Sequence, residues 1–329
     1  SLSGICQGKW GRRGVVGTVN GLAVIFDAPG NLDVRPTPLK PMVSGEVCVE
    51  SHFSGISTGT EKLLWTGRMP SFPGMGYPLV PGYESVGRIV DAAPDCVGRI
   101  GEWVFVPGAN CYTDVRGLFG GAGRHLIIPS ARAVPVSEAI AGQGVLYALA
   151  ATALHAIGSG GLPQLIVGHG VLGRLMARLT LAAGGPSPVV WEIDAVRAKG
   201  ATGYAVVRPE DDDRRDYQHV IDVSGDVGVI DTLIGRLARG GEVVLAGFYS
   251  QPISFAFAPA FQREARLRVA AEWQADDLAS VHAMVMSGAL DLSGLISTTA
   301  PAADAARAYP EAFDNRECLK MLLDWRDCA

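Results

Sequence analysis

Six consecutive residues have the types and spacing of a phosphate-binding turn. They are Gly168, His169, Gly170, Val171, Leu172 and Gly173. The residues before them are apolar and strand-like, and a helical pattern follows. In such a unit the first glycine makes the turn, the second lets the backbone approach a pyrophosphate, and the third lets helix and strand pack closely. The sequence therefore predicts a dinucleotide site, against the simpler reading of a glycine turn without a ligand.

The next predicted strand ends in the acidic residues that such a site needs. Glu192 lies 24 positions after Gly168 (192 − 168), and Asp194 lies two further. An acid about 20 residues after the first glycine binds the adenosine ribose hydroxyls. Either carboxylate would repel a 2′-phosphate, whereas Arg197 is near enough to bind one instead. We expect NAD as the cofactor, with Glu192 at the ribose.

Two later predicted strands also end in small residues, in the neighbourhood of Ser224 and of Gly247 and Phe248. The carboxyl ends of parallel strands are where the rest of a dinucleotide lies. These residues are therefore candidate cofactor contacts. An equally good alternative is that their small size serves the turns alone.

The elements that must position these residues alternate between strand and helix from about residue 150. The predicted strands cover residues 164–167, 188–193, 219–223 and 242–246. This order predicts an α/β fold with a doubly wound parallel sheet. Residues 21–149 instead contain short β-type runs separated by Gly and Pro. Near the C-terminus, 309–314 and 317–325 look helical.

Length and composition narrow the class of protein. A chain of 329 residues favours two domains. The net charge of −5 and the scattered Lys and Arg exclude a nucleic-acid binder. Cysteines without C-x-x-C spacing indicate reduced thiols in a cytoplasmic protein, and we expect no transmembrane segment. Residues 1–20 have no clear period and are expected to be an N-terminal extension.

Three motifs that precede the glycine turn resemble those of the medium-chain alcohol dehydrogenase superfamily. They are the segments 54–57 (Ser-Gly-Ile-Ser), 81–84 (Pro-Gly-Tyr-Glu) and 152–155 (Thr-Ala-Leu-His). The resemblance implies a β-rich GroES-like catalytic domain, a Rossmann domain for NAD and a C-terminal return to the catalytic domain. We place these parts at 21–149, 150–288 and 289–329.

The chain departs from the zinc enzymes of that superfamily at each metal position. Those enzymes have Cys where this chain has Ser57 and His where it has Tyr83. No Cys, Asp, Glu or His stands near Ala148, where a third ligand is expected. The lobe that usually carries four cysteines has only Cys111. Hydroxyls are poor zinc ligands, so we expect no metal.

A narrower resemblance extends over the segments 54–70 and 72–85, which look like those of the bacteriochlorophyllide dehydrogenases of bacteriochlorophyll biosynthesis. The residues 188–192 and 245–249 agree with it. This resemblance implies NAD-dependent oxidation of the 3-(1-hydroxyethyl) group of a bacteriochlorophyllide to a 3-acetyl group. A conjugated macrocycle would stabilise the positive charge that builds up as hydride leaves.

Without a metal, a side chain must take the proton of the substrate hydroxyl. The candidates by position on the former metal motifs are Ser57, Thr58, Thr60, Glu61, Tyr83 and Glu84. The serine and threonines could equally close a turn, and Glu84 could pair with an arginine inside the fold. We favour Tyr83 or Glu61.

The Gly- and Pro-rich loop 65–83 is a candidate wall for the tetrapyrrole. Trp65, Phe72 and Tyr77 would supply a flat apolar surface, and Arg68 would meet a propionate. The alternative, of equal weight, is that this loop packs on the catalytic domain. His125 is a reserve candidate for contact with the substrate.

Two other functions remain open at this level. One is a zinc-free quinone or enone reductase that uses NADPH, against which Glu192 argues weakly. The other is a non-catalytic NAD-binding subunit that kept the fold. A homodimer is compatible with each of these functions.

Overall fold

The computed structural model describes residues 19–158 and 160–328. The chain forms two compact units. The outer unit contains the described residues up to Leu146 and those from Ile296 onward, and the inserted unit is Tyr147–Leu295. The sequence placed these boundaries after residues 149 and 288. Of the proposed extension 1–20, Val19 and Asn20 belong to the first strand, and the rest lies outside the described residues.

The strands of the described residues are numbered along the chain. They are β1 Val19–Ala28, β2 Asn31–Leu39, β3 Glu46–Ile56, β4 Leu79–Val80, β5 Ser85–Ala92, β6 Trp103–Val106, β7 Arg116–Gly117, β8 His125–Pro129, β9 Val134–Pro135, β10 Leu165–Val167, β11 Val189–Trp191, β12 Ala205–Val207, β13 Tyr217–Asp222, β14 Leu237–Leu245, β15 Arg266–Val269, β16 Ile296–Pro301 and β17 Lys320–Asp324.

The α-helices of the described residues are numbered in the same way. They are α1 Thr60–Thr66, α2 Tyr147–Ile157, α3 Val171–Ala182, α4 Ile230–Arg236, α5 Phe257–Arg263, α6 Ala275–Met286 and α7 Ala305–Asp314.

The inserted unit contains a parallel sheet with the strand order β12-β11-β10-β13-β14-β15. The residues of β10 are fully apolar and buried, as in parallel sheets that are covered on both faces. The chain order reverses at β10, so β10 lies at the topological switch point where such sheets bind ligands. Val167 at its end is in register with Trp191 and Asp222. The predicted doubly wound sheet is confirmed.

The outer unit contains two sheets. One has the order β16-β17-β3-β5-β6-β9, with β8 also paired to β3, and the other has the order β2-β1-β4-β7. The end of β3 pairs with β17 on one side and β5 on the other, so that Ser54 lies opposite both Leu323 and Ser85. This pairing brings the C-terminal residues next to the segment that precedes Ser57.

The prediction of a helix over residues 317–325 is wrong, because residues 320–324 form β17. A short apolar run such as Lys-Met-Leu-Leu-Asp does not distinguish a helix from a buried strand. Here the run lies between β16 and β3 and pairs with both. Long-range hydrogen bonding therefore decided its conformation.

Within the described part of the chain, one helical stretch is long and apolar enough to cross a membrane by length and composition. It is Glu138–Ile157, with a mean hydropathy of 1.4, and 61% of its most apolar window is buried inside the protein. Core helices of globular proteins pass the same test, so this stretch is weak evidence for a membrane span.

Candidate functional site

The glycine turn of the inserted unit has the geometry that its sequence predicts. Gly168 has a φ of +106°, which disfavours any residue with a side chain. A Cβ on Gly173 would lie 1.9 Å from the carbonyl oxygen of Gly168, so the third glycine permits the close packing of α3 on β10. A Cβ on Gly170 would meet nothing within 4 Å, and no side chain caps the helix there. The N-terminus of α3 is thus open to an anion.

The structure brings Glu192 directly to this turn. Its Oε2 accepts a hydrogen bond of 3.1 Å from the backbone N–H of His169, and its Oε1 accepts one of 2.8 Å from that of Asp194. The carboxylate of Asp194 in turn accepts from the N–H of Val196 and the N–H of Arg197. The three polar residues predicted at the ribose therefore follow one another in a single ordered turn.

The side chain of His169 holds the loop after β11 rather than facing a ligand. It is fully buried, and its Nδ1 donates to the carbonyl of Arg197 at 2.6 Å. Its Nε2 then accepts from the hydroxyl of Tyr204 at 2.7 Å. Burial, together with the nearby charge of Arg174, lowers the pKa of His169, so the ring is neutral. Only the backbone of His169 remains as a candidate cofactor contact.

Arg174 reinforces the same connection, and the sequence analysis missed it. Its guanidinium is nearly buried and donates to the carbonyls of His169, Arg197 and Lys199 at 3.1, 3.0 and 2.7 Å. The sequence could not predict this role, because the carbonyl groups come from a loop whose position is known only from the structure. We call His169, Arg174 and Tyr204 the loop clamp.

The small residues at the ends of β13 and β14 serve close backbone packing. A Cβ on Gly225 would lie 2.6 Å from the carbonyl oxygen of Phe248, and a Cβ on Gly247 would lie 2.6 Å from the nitrogen of Gly225. The Ser224 hydroxyl donates to the buried carboxylate of Asp222 at 2.6 Å. These contacts agree with the turn interpretation, while the exposed ring of Phe248 stays a candidate cofactor contact.

In the outer unit, the residues at two former metal positions form a hydrogen-bonded hydroxyl pair. Ser57 Oγ lies 2.8 Å from the hydroxyl of Tyr83. Ser57 is nearly buried at the junction of β3 and α1, whereas Tyr83 is half-buried between β4 and β5. Thr60, the other hydroxyl candidate nearby in sequence, is half-buried at the start of α1. Burial, and next the charge of Glu84, raises the pKa of Tyr83, so the phenol is neutral.

Glu61 lies behind the hydroxyl pair and is sealed from solvent. Its Oε2 accepts from the backbone N–H of Ser57, and its Oε1 accepts from the hydroxyl of Tyr309 at 3.1 Å. Burial raises the pKa of this carboxyl to about 8. Both oxygens are engaged and only 1% of the residue is exposed. In this geometry Glu61 holds the backbone of Ser57, and its role as a base stays a prediction.

Glu84 is a second sealed carboxylate, and it has a cationic partner. Its Oε2 accepts from Lys320 Nζ at 2.7 Å, and the same ammonium donates to the carbonyl of Ile56 at 3.1 Å. A Cβ on Gly55 would lie 2.3 Å from this carboxylate, so the glycine makes room for it. The expected ion pair is present, with lysine in place of the predicted arginine. Thr58, in contrast, is exposed.

The aromatic residues of loop 65–83 pack onto the core of the outer unit. The ring of Trp65 lies 5.4 Å from that of Phe26 and 6.4 Å from that of Phe313. The hydroxyl of Tyr77 donates to the carbonyl of Leu64, and Phe72 packs on the same core. These contacts agree with the packing alternative. Arg68 is exposed just after α1.

His125 is not part of the hydroxyl cluster. It lies on β8 opposite Glu50 of β3, with its Nε2 3.5 Å from that carboxylate. Ser57 lies seven positions after Glu50, a distance on the order of 20 Å along an extended strand. His125 therefore lies apart from Ser57, and its reserve assignment to the substrate stays a prediction.

The donor set at the former metal positions does not fit zinc. Ser57 and Tyr83 offer hydroxyls, which are poor ligands for this ion, and the nearby Glu84 is paired with Lys320. Among residues 19–158 and 160–328, no group of three or more His, Cys, Asp or Glu is placed to hold a metal ion. The chemistry of this cluster is that of hydroxyl hydrogen bonds.

Two curated relatives cover almost the whole chain. The 2-desacetyl-2-hydroxyethyl bacteriochlorophyllide A dehydrogenase of Cereibacter sphaeroides is 55% identical over 314 residues, which is 93% of this chain and 99% of the relative. That of Rhodobacter capsulatus is 56% identical over 307 residues, which is 92% of this chain and 98% of the relative. No family model matches the chain.

Solved structures share the fold at much lower identity. A short chain alcohol dehydrogenase of E. coli, crystallised with NADH, superposes with a TM-score of 0.81 at 19% identity. The match covers 94% of this chain and all of that one. This likeness confirms the predicted fold, in which a Rossmann sheet accompanies a β-rich unit.

Proposed function

Because the chain belongs to the family of 2-desacetyl-2-hydroxyethyl bacteriochlorophyllide A dehydrogenases, we propose that it oxidises the hydroxyethyl group of a bacteriochlorophyllide to an acetyl group. The hydride acceptor is NAD, and the reaction needs no zinc. The observation that carries the zinc-free mechanism is the hydrogen bond between Ser57 and Tyr83, which occupies the place of metal ligands. We also propose that the protein is located in the cytoplasm.

The residues of the inserted unit fit a bound dinucleotide. The open backbone at Gly170 and the N-terminus of α3 suit the pyrophosphate, and the carboxylate of Glu192 suits the adenosine ribose. These residues would hold NAD, which would supply the hydride acceptor for the carbinol carbon. The negative charge of Glu192 at the ribose supports NAD over NADP.

The hydroxyl pair of the outer unit suits the proton side of the reaction. The substrate hydroxyl can hydrogen-bond to Tyr83, whose neutral phenol both donates and accepts. As the carbinol oxygen loses its proton to this hydroxyl, Tyr83 can pass its own proton to Ser57, whose hydroxyl in turn releases a proton to solvent, so that both side chains end neutral. The raised pKa of Tyr83 excludes a standing phenolate, so the pair acts as a relay.

The sealed groups behind the pair support this relay without contacting substrate. Glu61 holds the backbone of Ser57, and the ion pair of Glu84 with Lys320 holds the carbonyl of Ile56 next to it. Fixed hydroxyls bind a developing alkoxide without having to reorganise during the reaction. The conjugated macrocycle of the substrate lowers the remaining barrier by spreading the positive charge at the carbinol carbon.

The test is incubation of the chelator-treated protein with NAD and the hydroxyethyl pigment. We expect a red shift of the pigment, because the new acetyl group extends its conjugation, together with formation of NADH. The Tyr83→Phe variant provides the comparison for the relay. Absence of turnover with intact NAD binding would reject the proposed activity, and activity that returns only with added zinc would reject the zinc-free mechanism.

A further inference from the structure

We propose that Phe119 forms a wall of the site for the tetrapyrrole macrocycle, beside the hydroxyl pair. This inference rests on the proposed function and names a specificity-determining contact within it. The loop that carries Phe119, residues 117–123 (Gly-Leu-Phe-Gly-Gly-Ala-Gly), drew no attention as sequence, since its glycines resemble an ordinary turn.

Phe119 is placed next to the reactive hydroxyl and is open to solvent. The centroid of its ring lies 6.2 Å from that of Tyr83, with the two planes at 76°. Its exposed fraction is 39%. The other exposed large apolar side chains among the described residues of this unit are aliphatic, namely Val43, Val90, Val97 and Ile100. Phe119 thus combines an aromatic face with contact to the hydroxyl pair.

The backbone around Phe119 is packed so closely that the ring is presented from a rigid loop. Its carbonyl accepts a hydrogen bond of 2.9 Å from the N–H of Ala109. A Cβ on Gly108 would lie 2.5 Å from that carbonyl oxygen, and a Cβ on Gly120 would lie 1.8 Å from the carbonyl oxygen of Ala109. The glycines on both sides therefore allow two backbone segments to touch and hold the ring in place.

The chemistry of the substrate makes this position a contact with the macrocycle. The carbinol carbon is bonded directly to the macrocycle, so only two bonds separate the reacting oxygen from its edge. If that oxygen binds at Tyr83, the macrocycle begins within reach of the neighbouring ring of Phe119. A flat conjugated surface and an exposed phenyl ring favour stacked or edge-to-face contact.

The alternative wall is less well placed for this role. Trp65, Phe72 and Tyr77 pack on the core of the outer unit, with Trp65 against Phe26 and Phe313. These three side chains are thus half-buried against protein. Phe119 is in a T-shaped contact with Tyr83 and leaves more than a third of its surface uncovered.

The experiment compares Phe119→Ala, Phe119→Leu and Phe119→Trp by steady-state kinetics in both substrates. We expect Phe119→Ala to raise KM for the pigment by roughly tenfold, Phe119→Leu to recover part of that loss and Phe119→Trp most of it. KM for NAD should not change. Phe261→Ala is the matched control, because this phenylalanine is 71% exposed on α5 of the other unit.

The outcomes separate this inference from the proposed function. Wild-type turnover of the pigment with an unchanged pigment KM in Phe119→Ala would overturn the role of Phe119 while leaving the activity intact. Equal recovery by Leu and Trp would overturn the aromatic contact. No turnover by the wild-type protein would reject the proposed function, and direct binding of the pigment, followed by its absorbance, would then test Phe119 separately.

Discussion

The two candidate sites of this protein are built in opposite ways. In the inserted unit, the glycine turn gets its ligand-binding capacity from six adjacent residues and from backbone geometry. In the outer unit, the site around the hydroxyl pair joins Glu61 of α1 to Tyr309 of α7 and Glu84 to Lys320 of β17, across 248 and 236 residues of chain. A local backbone site depends on glycines and can be recognised from sequence, whereas the other site depends on which distant side chains seal it.

The largest expected effect tests the chemical part of this comparison. Replacing Tyr83 with Phe removes the hydroxyl that hydrogen-bonds Ser57 and keeps the ring against Phe119. We expect kcat to fall by about 10² to 10⁴ with little change in KM for NAD. Tyr217→Phe is the control, since it also deletes one buried hydroxyl hydrogen bond, to Asp212 of the other unit. An unchanged kcat would exclude Tyr83 from proton transfer.

The next effect concerns the sealed carboxyl of Glu61. Its pKa is about 8 in the folded protein, whereas an unperturbed glutamate has a pKa of 4.5, so between these pH values the folded state keeps a proton that the unfolded state has lost. Stability therefore falls as pH rises through this window and levels off above it. Relative to Glu61→Gln, we expect the wild type to lose on the order of 5 kcal/mol of stability across this window.

This pH dependence can be measured by urea unfolding of both proteins at several pH values within the window. The control is Glu264→Gln, which changes an exposed carboxylate of the other unit and should leave the profile of the wild type unchanged. Parallel stability profiles for the wild type and Glu61→Gln would show that Glu61 ionises normally in the fold.

Two glycines of the turn test the local site against each other. Gly173→Ala places a Cβ against the carbonyl of Gly168, so we expect a loss of roughly 1 to 3 kcal/mol in stability as well as weaker NAD binding. Gly170→Ala meets no protein atom, so stability should hold while the Kd for NAD rises by about tenfold. Calorimetric NAD titration and urea unfolding measure both. NAD binding by Gly170→Ala at wild-type strength would contradict a pyrophosphate at this turn.

The smallest effect tests the loop clamp. Tyr204→Phe leaves the buried Nε2 of His169 without its donor, which costs about 1 to 3 kcal/mol in stability. Because His169 and Arg174 tie the loop to the turn that holds Glu192, we also expect the Kd for NAD to rise by roughly threefold. The Tyr217→Phe control should change stability alone. An unaltered Kd in Tyr204→Phe would limit the clamp to a structural role.

The predicted elements agree best with the structure where neighbouring residues decide the conformation of the chain. The turn at Gly168, the strand before it and the acid at Glu192 all follow from patterns within one strand–helix–strand unit, and the parallel sheet follows from their repetition. Prediction from the sequence failed at β17, where the same short apolar run suits a helix or a strand until its neighbours are known. The 320–324 segment became a strand because β3 and β16 offered hydrogen-bonding edges on both sides.

For the outer site, sequence and resemblance supplied the positions but not their roles. Ser57 and Tyr83 were brought together as their place on the former metal motifs suggested. Glu61, favoured as a base, is instead closed in by Tyr309, a partner that no spacing indicates. The aromatic loop at Trp65 turned toward the core, while Phe119, hidden among glycines, stayed exposed.

By itself, the sequence determined the dinucleotide turn and the lack of zinc donors, because both depend on residue types at fixed local positions. Only the tertiary structure decided which carboxyls are sealed, which cation neutralises Glu84 and which aromatic ring faces solvent. Those properties depend on burial and on partners more than 200 residues away. Burial sets the pKa of each group and the availability of each surface, and it exists only once the strands have paired.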